Sequence, residues 1–402
     1  MAETFRRLLT LPAISLLAGS VLWTGALAET AERRNLTVLP TGPVETVFDW
    51  SRDACAKSNV PDASARAFKN ADGEVRLTIS HNGNRALVGP NLDAVRPDCG
   101  MLYQGRGSAR LADFDDLSWI GGVYTRDGRT VYALAHTELR GERTPGQCPA
   151  GRYSACLLNT ITGLVSEDGG RHFKPQAKAS PPVVATLPYG FPTDRNSRVG
   201  YANPSNIIER DDWYYAFIFA DGYRDQRRGN CLIRTNNLDD PASWRAWDGK
   251  DFTVTFIDPF RNGQVDPGSH VCAPVAPNVI GRLVGGIVKI RDTNTVVAVF
   301  GDKRRGPDGR EIEGIYSSAS SDLVNWTRPS LVTEVQLLWD KSCDETEAFF
   351  YPSLIDPDAR TFSFEDFGHK GYLYLTRYQL TSCKVTWDRD LVRIPVEVRP
   401  AQ

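Results

Sequence analysis

The sequence predicts an all-β fold, and more specifically a five-bladed β-propeller. Short runs of β-branched and aromatic residues occur in pairs separated by tight polar turns, which is typical of β-hairpins. The paired runs recur five times, and each pair is followed by a third run that ends in an Asp-containing turn. No amphipathic helix of ordinary length stands out. Such repetition favours sheets arranged radially in one domain; a pair of β-sandwiches is the alternative.

The first 28 residues have the pattern of a secretory signal peptide. Arg6 and Arg7 precede an apolar run over residues 8–27, and the run closes on the small-x-small sequence of residues 26–28. Pro12 interrupts the run, which makes a membrane anchor the weaker interpretation. We therefore expect cleavage after Ala28 and a secreted or periplasmic mature protein without a membrane segment.

Charge and cysteine content narrow the class of protein further. The formal net charge is −2 at pH 7, which disfavours nucleic acid as a partner. Eight cysteines after a signal peptide predict disulfides in an oxidising compartment, and the absence of a C-x-x-C motif disfavours a zinc or redox site. Cys148 and Cys156 close a short loop and form the one pair that we expect; the other connectivities stay open. We expect a monomer that needs no cofactor and no metal.

The predicted blades follow one another along most of the chain. Residues 29–60 are predicted to form an N-terminal extension with one strand at 44–48, and residues 61–402 to form the propeller. The five predicted hairpins span 61–81, 117–138, 200–221, 272–304 and 350–377. In the fourth hairpin the first strand is assigned to 272–279, followed by an insertion. The predicted third strands span 88–93, 165–170, 233–244, 316–326 and 385–391.

Several local motifs resemble those of known propellers. Ser166-Glu-Asp-Gly-Gly-Arg-His-Phe173 resembles the Asp-box of sialidases, which is a structural turn and not a catalytic one. Ser321-Asp-Leu-Val-Asn-Trp326 resembles a blade-edge motif of the arabinanase, β-xylosidase and invertase clan of five-bladed propeller glycoside hydrolases. Asn203-Pro-Ser and Tyr351-Pro-Ser resemble the Asp-Pro-Ser of that clan's innermost strands. At the level of blade pattern the resemblance covers most of the mature chain.

The resemblance also implies where catalytic carboxylates should lie. The clan places a base Asp, an orienting Asp and an acid Glu at the starts of inner strands, the Glu before Ala-Pro or Gly-Pro. The matching positions here are Asp62, Asn203 and Cys272, so only the first carboxylate carries over. The acid must therefore come from another position. We expect it to be Glu138, which follows the second strand of blade two, and Glu347 is the competing acid.

Propeller geometry predicts which polar side chains meet. Residues before the first strand and after the second strand of each blade converge around one mouth of the central channel. Asp62 is predicted to be a base or nucleophile, or alternatively a turn cap, and paired carboxyls suit acid–base cleavage of a glycosidic bond. The predicted substrate-binding residues are Arg66, His81, Arg85, His136, Tyr201, Asn203, Asp221, His270 and Arg377.

Two of these assignments keep alternatives. Arg66 lies inside a strand, where a buried charge needs a partner, and an ion pair with Asp62, four residues away, is the structural alternative. His81, His136 and His270 come from different blades without ligand spacing, so we expect them to contact sugar hydroxyls and not a metal.

Together these features predict a secreted or periplasmic glycoside hydrolase that acts on a polysaccharide or oligosaccharide. Two alternatives remain open. The first is a carbohydrate-binding propeller without catalysis, which fits the two missing clan carboxylates. The second is a polysaccharide lyase, in which His136 or a tyrosine abstracts a proton and arginines neutralise a uronate.

Overall fold

The computed structural model describes residues 36–400 except 145, 149–155, 178, 194–196, 262–264 and 307. The predicted signal peptide, residues 1–28, lies outside the described residues. Within the described ranges no helix is both long enough and apolar enough to cross a membrane.

The described residues are almost entirely strands and loops, as predicted. The strands of the first half are β1 Leu36–Pro40, β2 Glu45–Phe48, β3 Ala67–Lys69, β4 Val75–Ile79, β5 Gly83–Gly89, β6 Arg96–Gln104, β7 Leu117–Tyr124, β8 Val131–Arg140, β9 Leu157–Ser166, β10 Lys174–Pro175, β11 Val183–Ala185 and β12 Val199–Ala202. Those of the second half are β13 Ile208–Arg210, β14 Trp213–Asp221, β15 Gly229–Thr235, β16 Arg245–Ala246, β17 Val284–Ile290, β18 Val296–Arg305, β19 Glu311–Ser320, β20 Ser330–Glu334, β21 Glu347–Ile355, β22 Asp366–Phe367, β23 Lys370–Thr381 and β24 Lys384–Pro400. The helical segments are single turns: α1 Trp50–Asp53 and 3₁₀ turns at Leu111–Asp113, Gly141–Arg143, Pro241–Ser243 and Pro267–His270.

These strands form five four-stranded antiparallel units, which we call blades. Blade one is β3–β4–β5–β6, blade two β7–β8–β9–β10, blade three β12–β14–β15–β16 and blade four β17–β18–β19–β20. Blade five is β21–β23–β24–β1. Blades two and three are joined into one sheet because β12 also pairs in parallel with β9. Blades one to four are meanders in sequence order, so their neighbouring strands are close in the chain as well as in space, whereas the outer strand of blade five, β1, comes from the other end of the described chain.

Apolar clusters between the blades close them into a ring. Successive residues of a strand point to opposite faces of its sheet, so one strand can contribute to two clusters. Phe217 and Ile218 of β14, for example, belong to the clusters toward blade four and blade two respectively. The five clusters are represented by Phe68 with Val131, Leu134 with Ile218, Phe217 with Val296, Val297 with Leu373, and Tyr374 with Leu77. They join blades one to two, two to three, three to four, four to five, and five back to one, which makes the fold a five-bladed β-propeller.

The side chain of Arg66 occupies the centre of this ring. Its Nε donates to the carbonyl of Gly121 at 2.6 Å, and its Nη2 donates to those of Gly285 at 2.6 Å and Pro204 at 3.3 Å. These three carbonyls belong to blades two, four and three. The inner strands can approach so closely because glycines lack a Cβ: one added at Gly285 would collide with Pro352 of blade five. The innermost segments of all five blades therefore meet at one axis.

The N-terminal segment belongs to the propeller. All five residues of β1 pair with the end of β24, from Leu36 opposite Pro400 to Pro40 opposite Val396. The predicted strand at 44–48 is present as β2, and it also pairs with β24. The boundary predicted between an extension at 29–60 and a propeller from 61 is therefore wrong, because the beginning of the described chain supplies the outer strand of blade five.

The first strand of blade four lies elsewhere than predicted. Residues 272–279 form no strand, and the innermost strand is β17, Val284–Ile290. Pro274 and Pro277 lack the backbone N–H that a central strand donates, which explains the absence of a strand there. Gly285 and Gly286 made the following segment resemble a loop, although they are the positions at which blade four approaches blade five.

Two Asp-containing turns at blade edges have the same hydrogen-bond pattern. Asp168 Oδ1 accepts from the backbone N–H groups of Arg171 and His172, both at 3.0 Å. Asp322 Oδ1 accepts from those of Val324 at 2.9 Å and Asn325 at 2.7 Å. Both carboxylates thus satisfy the backbone of their own turn, and Asp168 has the structural, non-catalytic hydrogen bonds that were expected of its turn.

All eight cysteines form disulfides in the structure. The pairs are Cys55–Cys99, Cys148–Cys156, Cys231–Cys272 and Cys343–Cys383. The predicted Cys148–Cys156 pair is therefore present. Cys231–Cys272 joins β15 of blade three to the segment that precedes blade four, which gives Cys272 a structural role at the position where the clan resemblance implies an acid.

Candidate active site

A cavity of about 310 Å³ lies over the central axis of the propeller. A smaller space beneath it, about 10 Å³, is bounded by Gly121, Pro204 and Gly285, whose carbonyls bind Arg66, and also by His136 and Tyr351, which line the larger cavity. The larger cavity therefore lies at one mouth of the channel, and the side chain of Arg66 fills the channel below it.

Five of the predicted site residues line this cavity together. They are Asp62, Glu138, His136, Asn203 and Asp221. They come from blades one, two and three, so ring closure brings them together as the propeller geometry predicts. Asp62 and Glu138, the two carboxyls expected to share the chemistry, open onto the same space.

Asp62 lies in a polar setting in which three polar side chains surround its carboxylate. Arg389 Nη1 lies 2.6 Å from Oδ1, and the hydroxyl of Tyr378 donates to the same oxygen at 3.2 Å. Nδ1 of His81 lies 3.2 Å from Oδ2. The backbone N–H of Asp62 donates to the carbonyl of Ser80, which fixes the start of the first hairpin. Arg389 neutralises the carboxylate charge, and the carboxylate is 22% exposed to the cavity.

Glu138 is largely buried near the end of β8. Its side chain is only 12% exposed, and burial raises its pKa to about 7, with Asp62 adding to the effect and Arg198 opposing it. Oε1 lies 4.0 Å from Nε2 of His136. Desolvation disfavours the charged form of a carboxyl, so Glu138 holds a proton at a pH where most carboxyls have lost theirs.

His136 forms part of the cavity wall beside Glu138. Its ring stacks on Trp119 with centroids 5.5 Å apart, and burial lowers its pKa to about 4. The imidazole is therefore neutral at neutral pH. A neutral ring places no positive charge beside Glu138, which is consistent with the raised pKa of that carboxyl.

Two cavity residues have strained backbones. Asn203 has φ of 46° and Tyr351 has φ of 56°, and each directly precedes a proline, Pro204 or Pro352. A non-glycine residue in the left-handed region costs about 1–3 kcal/mol and persists only where the surroundings enforce it. Both residues are the first of the X-Pro-Ser motifs noted in the sequence. Both residues line the cavity.

Cationic and aromatic side chains complete the opposite part of the wall. Arg198 Nε lies 3.6 Å from Oδ2 of Asp221, and its guanidinium lies over the Trp339 ring at 5.5 Å. Arg228 lies over the Phe219 ring at 5.3 Å. Trp339 is 58% exposed, so an apolar face is available to a ligand at the rim.

The predicted convergence fails for the remaining site residues, which do not line the cavity. Arg66 is buried in the axis and binds backbone carbonyls, not Asp62, because carbonyls of three blades surround it. Tyr201 is fully buried and donates to Gln226, and Arg377 pairs with Asp390 at 2.7 Å. His81 contacts Asp62, and Arg85 donates to the carbonyls of Cys99 and Gly83. Nδ1 of His270 lies 2.7 Å from the Thr255 carbonyl. Glu347 pairs through its backbone with Gln379 in blade five.

Several cavity residues were missed because they lie on loops whose position strand periodicity does not fix. Arg198 precedes β12, and Trp339 and Lys341 lie between β20 and β21. Arg389 is on β24, within the strand predicted at 385–391, although β24 continues to Pro400. One signal was available: two tryptophans, Trp339 and Trp387, stand outside the alternating apolar pattern and are among the exposed large side chains.

No protein-family model matches this chain, and no curated protein matches it either. Solved structures with a similar chain path include the catalytic domain of a Coprinopsis cinerea GH62 alpha-L-arabinofuranosidase, at 9% identity and a TM-score of 0.45, covering 90% of this chain and 98% of that one. A Cellvibrio cellulosa alpha-L-arabinanase has 11% identity and a TM-score of 0.46, covering 83% and 91%. A putative exo-beta-1,3-galactanase from Bifidobacterium bifidum s17 has 13% identity and a TM-score of 0.45, covering 92% and 97%.

These neighbours are five-bladed propeller glycoside hydrolases, the group that the sequence motifs resemble. At this level of similarity the activities in those names are properties of those proteins. The chemistry of the present cavity is therefore interpreted from its own residues.

Proposed function

We propose that this protein is a glycoside hydrolase in which Glu138 is the general acid and Asp62 the general base or nucleophile. One observation carries the proposal: two carboxyls line the same cavity in contrasting environments. Glu138 is desolvated with a pKa of about 7, whereas Asp62 is held by Arg389, Tyr378 and His81. Carboxyls whose surroundings differ in this way can take the acid and base roles of glycoside cleavage.

The two steps follow from these environments. Glu138 donates its proton to the glycosidic oxygen as the bond to the anomeric carbon breaks, which lets the leaving sugar depart as a neutral alcohol. Asp62 either removes a proton from an attacking water or attacks the anomeric carbon itself. Arg389 and Tyr378 orient the Asp62 carboxylate for either role.

The remaining cavity walls suit a sugar chain. Asn203 and Asp221 present polar atoms to hydroxyl groups, and Trp339 and Phe350 present aromatic surface on which a sugar ring can pack. The carbohydrate is the partner that we propose, and the monomer is the proposed active form.

We further propose that the mature protein is secreted or periplasmic. Four disulfides suit an oxidising compartment. Expression of the full chain in a bacterium, followed by cell fractionation and N-terminal sequencing, tests this. The expected result is a protein outside the cytoplasm that begins at Glu29; a cytoplasmic protein that keeps residues 1–28 would contradict it.

The function is tested with a panel of polysaccharides, measuring the release of reducing ends. Asp62→Asn and Glu138→Gln should each lower the rate by about 10³-fold or more while leaving binding intact, because both substitutions preserve shape. Glu347→Gln is the matched control, since Glu347 does not line the cavity, and it should retain activity. Unsaturated products that absorb in the ultraviolet would identify a lyase instead. Binding without any product would identify a carbohydrate-binding protein.

A further inference from the structure

The cavity has an excess of positive charge on one side. This side, which we call the cationic wall, consists of Arg198, Arg228 and Lys341, and all three line the cavity. Arg198 and Arg228 flank the same carboxylate, that of Asp221, and both lower its pKa against the raising effect of burial. One carboxylate therefore faces two guanidinium groups, and the ammonium of Lys341 adds a third cation.

The other cavity carboxylates are already matched elsewhere. Asp62 pairs with Arg389 at 2.6 Å, and Asp302 pairs with Arg304 at 2.7 Å and with Arg282 at 3.5 Å. Glu138 is mostly protonated below neutral pH. Asp340, which is exposed, is the exception, because it lines the cavity next to Lys341 and offsets one of the three cations of the wall. The cationic wall thus keeps about one positive charge that no cavity carboxylate neutralises.

The excess positive charge of the cationic wall can be assigned to Arg228 and Lys341, which have no carboxylate partner of their own within the described residues. Arg228 makes no ion pair with any carboxylate in the described part of the chain and lies over the Phe219 ring instead. Lys341 donates to the Leu338 carbonyl at 3.4 Å, and it too lacks an ion pair within the described ranges. An arginine held on an aromatic face keeps its in-plane N–H groups free to bind a planar anion with two hydrogen bonds.

We propose that the substrate is an anionic glycan, whose charged group binds the cationic wall next to the bond that is cleaved. This inference rests on the proposed glycosidase function and names its substrate class. Two sources share the required chemistry: the carboxylate of a uronic acid and a sulfate ester. Arg198 and Glu138 line the same cavity, so an anion bound at the cationic wall lies in the same space as the catalytic acid.

The test uses pairs of polysaccharides that share a backbone, one member with the charged group and the other with an uncharged group in its place. Polygalacturonate is compared with its fully methyl-esterified form, glucuronate-containing heparosan with its carboxyl-reduced form, and sulfated carrageenan with desulfated carrageenan. Binding by affinity electrophoresis and reducing-end release are measured for each. The charged member of at least one pair should bind at least tenfold more tightly, and the preferred pair distinguishes a carboxylate from a sulfate. Its affinity should fall as ionic strength rises.

Arg228→Gln identifies the residue responsible. It should raise KM for the charged substrate about tenfold or more and change kcat about twofold or less, because a charge-assisted hydrogen bond is lost in ground state and transition state alike. Arg227→Gln is the matched control: it is the same change one residue earlier, at an exposed position outside the cavity lining. It should leave KM unchanged.

The outcomes separate the two proposals. Cleavage of uncharged members as efficiently as charged ones, or no binding of any charged member, overturns the anionic substrate. If charged and uncharged members are cleaved equally well, the glycosidase function stands. Tight binding of a charged member without cleavage supports the cationic wall and contradicts the glycosidase. An Arg228→Gln variant that affects charged and uncharged members equally also overturns the inference.

Discussion

Arg389 Nη1 lies 2.6 Å from Asp62 Oδ1, although the two residues are 327 positions apart in the chain. Asp62 precedes the first strand of blade one, and Arg389 belongs to β24 of blade five. The contact exists only because the ring of blades closes on itself. The proposed base therefore acquires its arginine partner only when blades one and five meet and the ring closes.

Removing Arg389 should impair catalysis without unfolding the protein. Arg389→Met keeps much of the side-chain bulk but removes the donor that holds Asp62. We expect kcat to fall about 10- to 100-fold, the effect of one charge-assisted hydrogen bond. Arg389→Lys should restore part of the rate, because it restores the charge. Full activity in Arg389→Met would mean that Asp62 is oriented by Tyr378 and His81 alone.

The raised pKa of Glu138 has a consequence for stability. A carboxyl whose pKa is raised in the folded state contributes stability below its unfolded pKa, 4.5, and loses that contribution as the pH rises through about 7. Glu138→Gln lacks this pH dependence. The variant should therefore match the natural protein at pH 4 and exceed it by up to roughly 3 kcal/mol at pH 9. Denaturant unfolding at both values measures the difference; an equal difference at both would contradict the assignment.

Arg66 should be essential for stability and not for sugar recognition. Arg66→Met leaves the carbonyls of Gly121, Pro204 and Gly285 without their donor in a buried position. We expect the free energy of unfolding to fall by about 3–5 kcal/mol. Arg328→Met, at an exposed position, is the control and should change it by less than about 0.5 kcal/mol. An Arg66→Met protein of unchanged stability would show that the axis can be filled without these bonds.

The disulfide Cys343–Cys383 should affect binding more than folding. It tethers the loop that carries Trp339 and Lys341 to the turn between β23 and β24. In the double variant Cys343→Ser, Cys383→Ser the loop gains freedom, so we expect KM to rise several-fold while kcat changes little. Cys148→Ser, Cys156→Ser is a comparison pair, because no described residue of the segment 141–156 lines the cavity. Equal effects of both pairs on KM would argue against a specific role for this loop.

Strand positions could be predicted from the sequence where the local residue pattern alone specifies the strand. The hairpin of β7 and β8 was predicted at 117–138 because β-branched and aromatic residues flank a tight Asp-Gly turn. Glu138 was expected to follow the second strand but lies within β8, and both His136 and Glu138 line the cavity. Blade four was misplaced because Gly285 and Gly286 have no local preference for a strand; they are explained only by the approach of blade five.

Long-range contacts account for the other errors. Arg66 was assigned to substrate because nothing in its neighbourhood along the chain shows that three distant carbonyls surround it. β1 was assigned to an extension because its partner, β24, lies at the other end of the sequence. The residues of the cationic wall lie on loops or at strand ends, and only the assembled ring brings them to one side of the cavity.

The most direct test of the central claim is the pH dependence of kcat/KM on the substrate that the polysaccharide screen identifies. If Glu138 is the acid, the natural protein should lose activity as pH rises above about 7, since the proton needed by the leaving group is then absent. Glu138→Gln should have no such alkaline limb and should be slowed far less on an aryl glycoside whose leaving group needs no proton. A Glu138→Gln enzyme that keeps the alkaline limb, or is slowed equally on both substrates, would contradict the assignment of Glu138 as the acid.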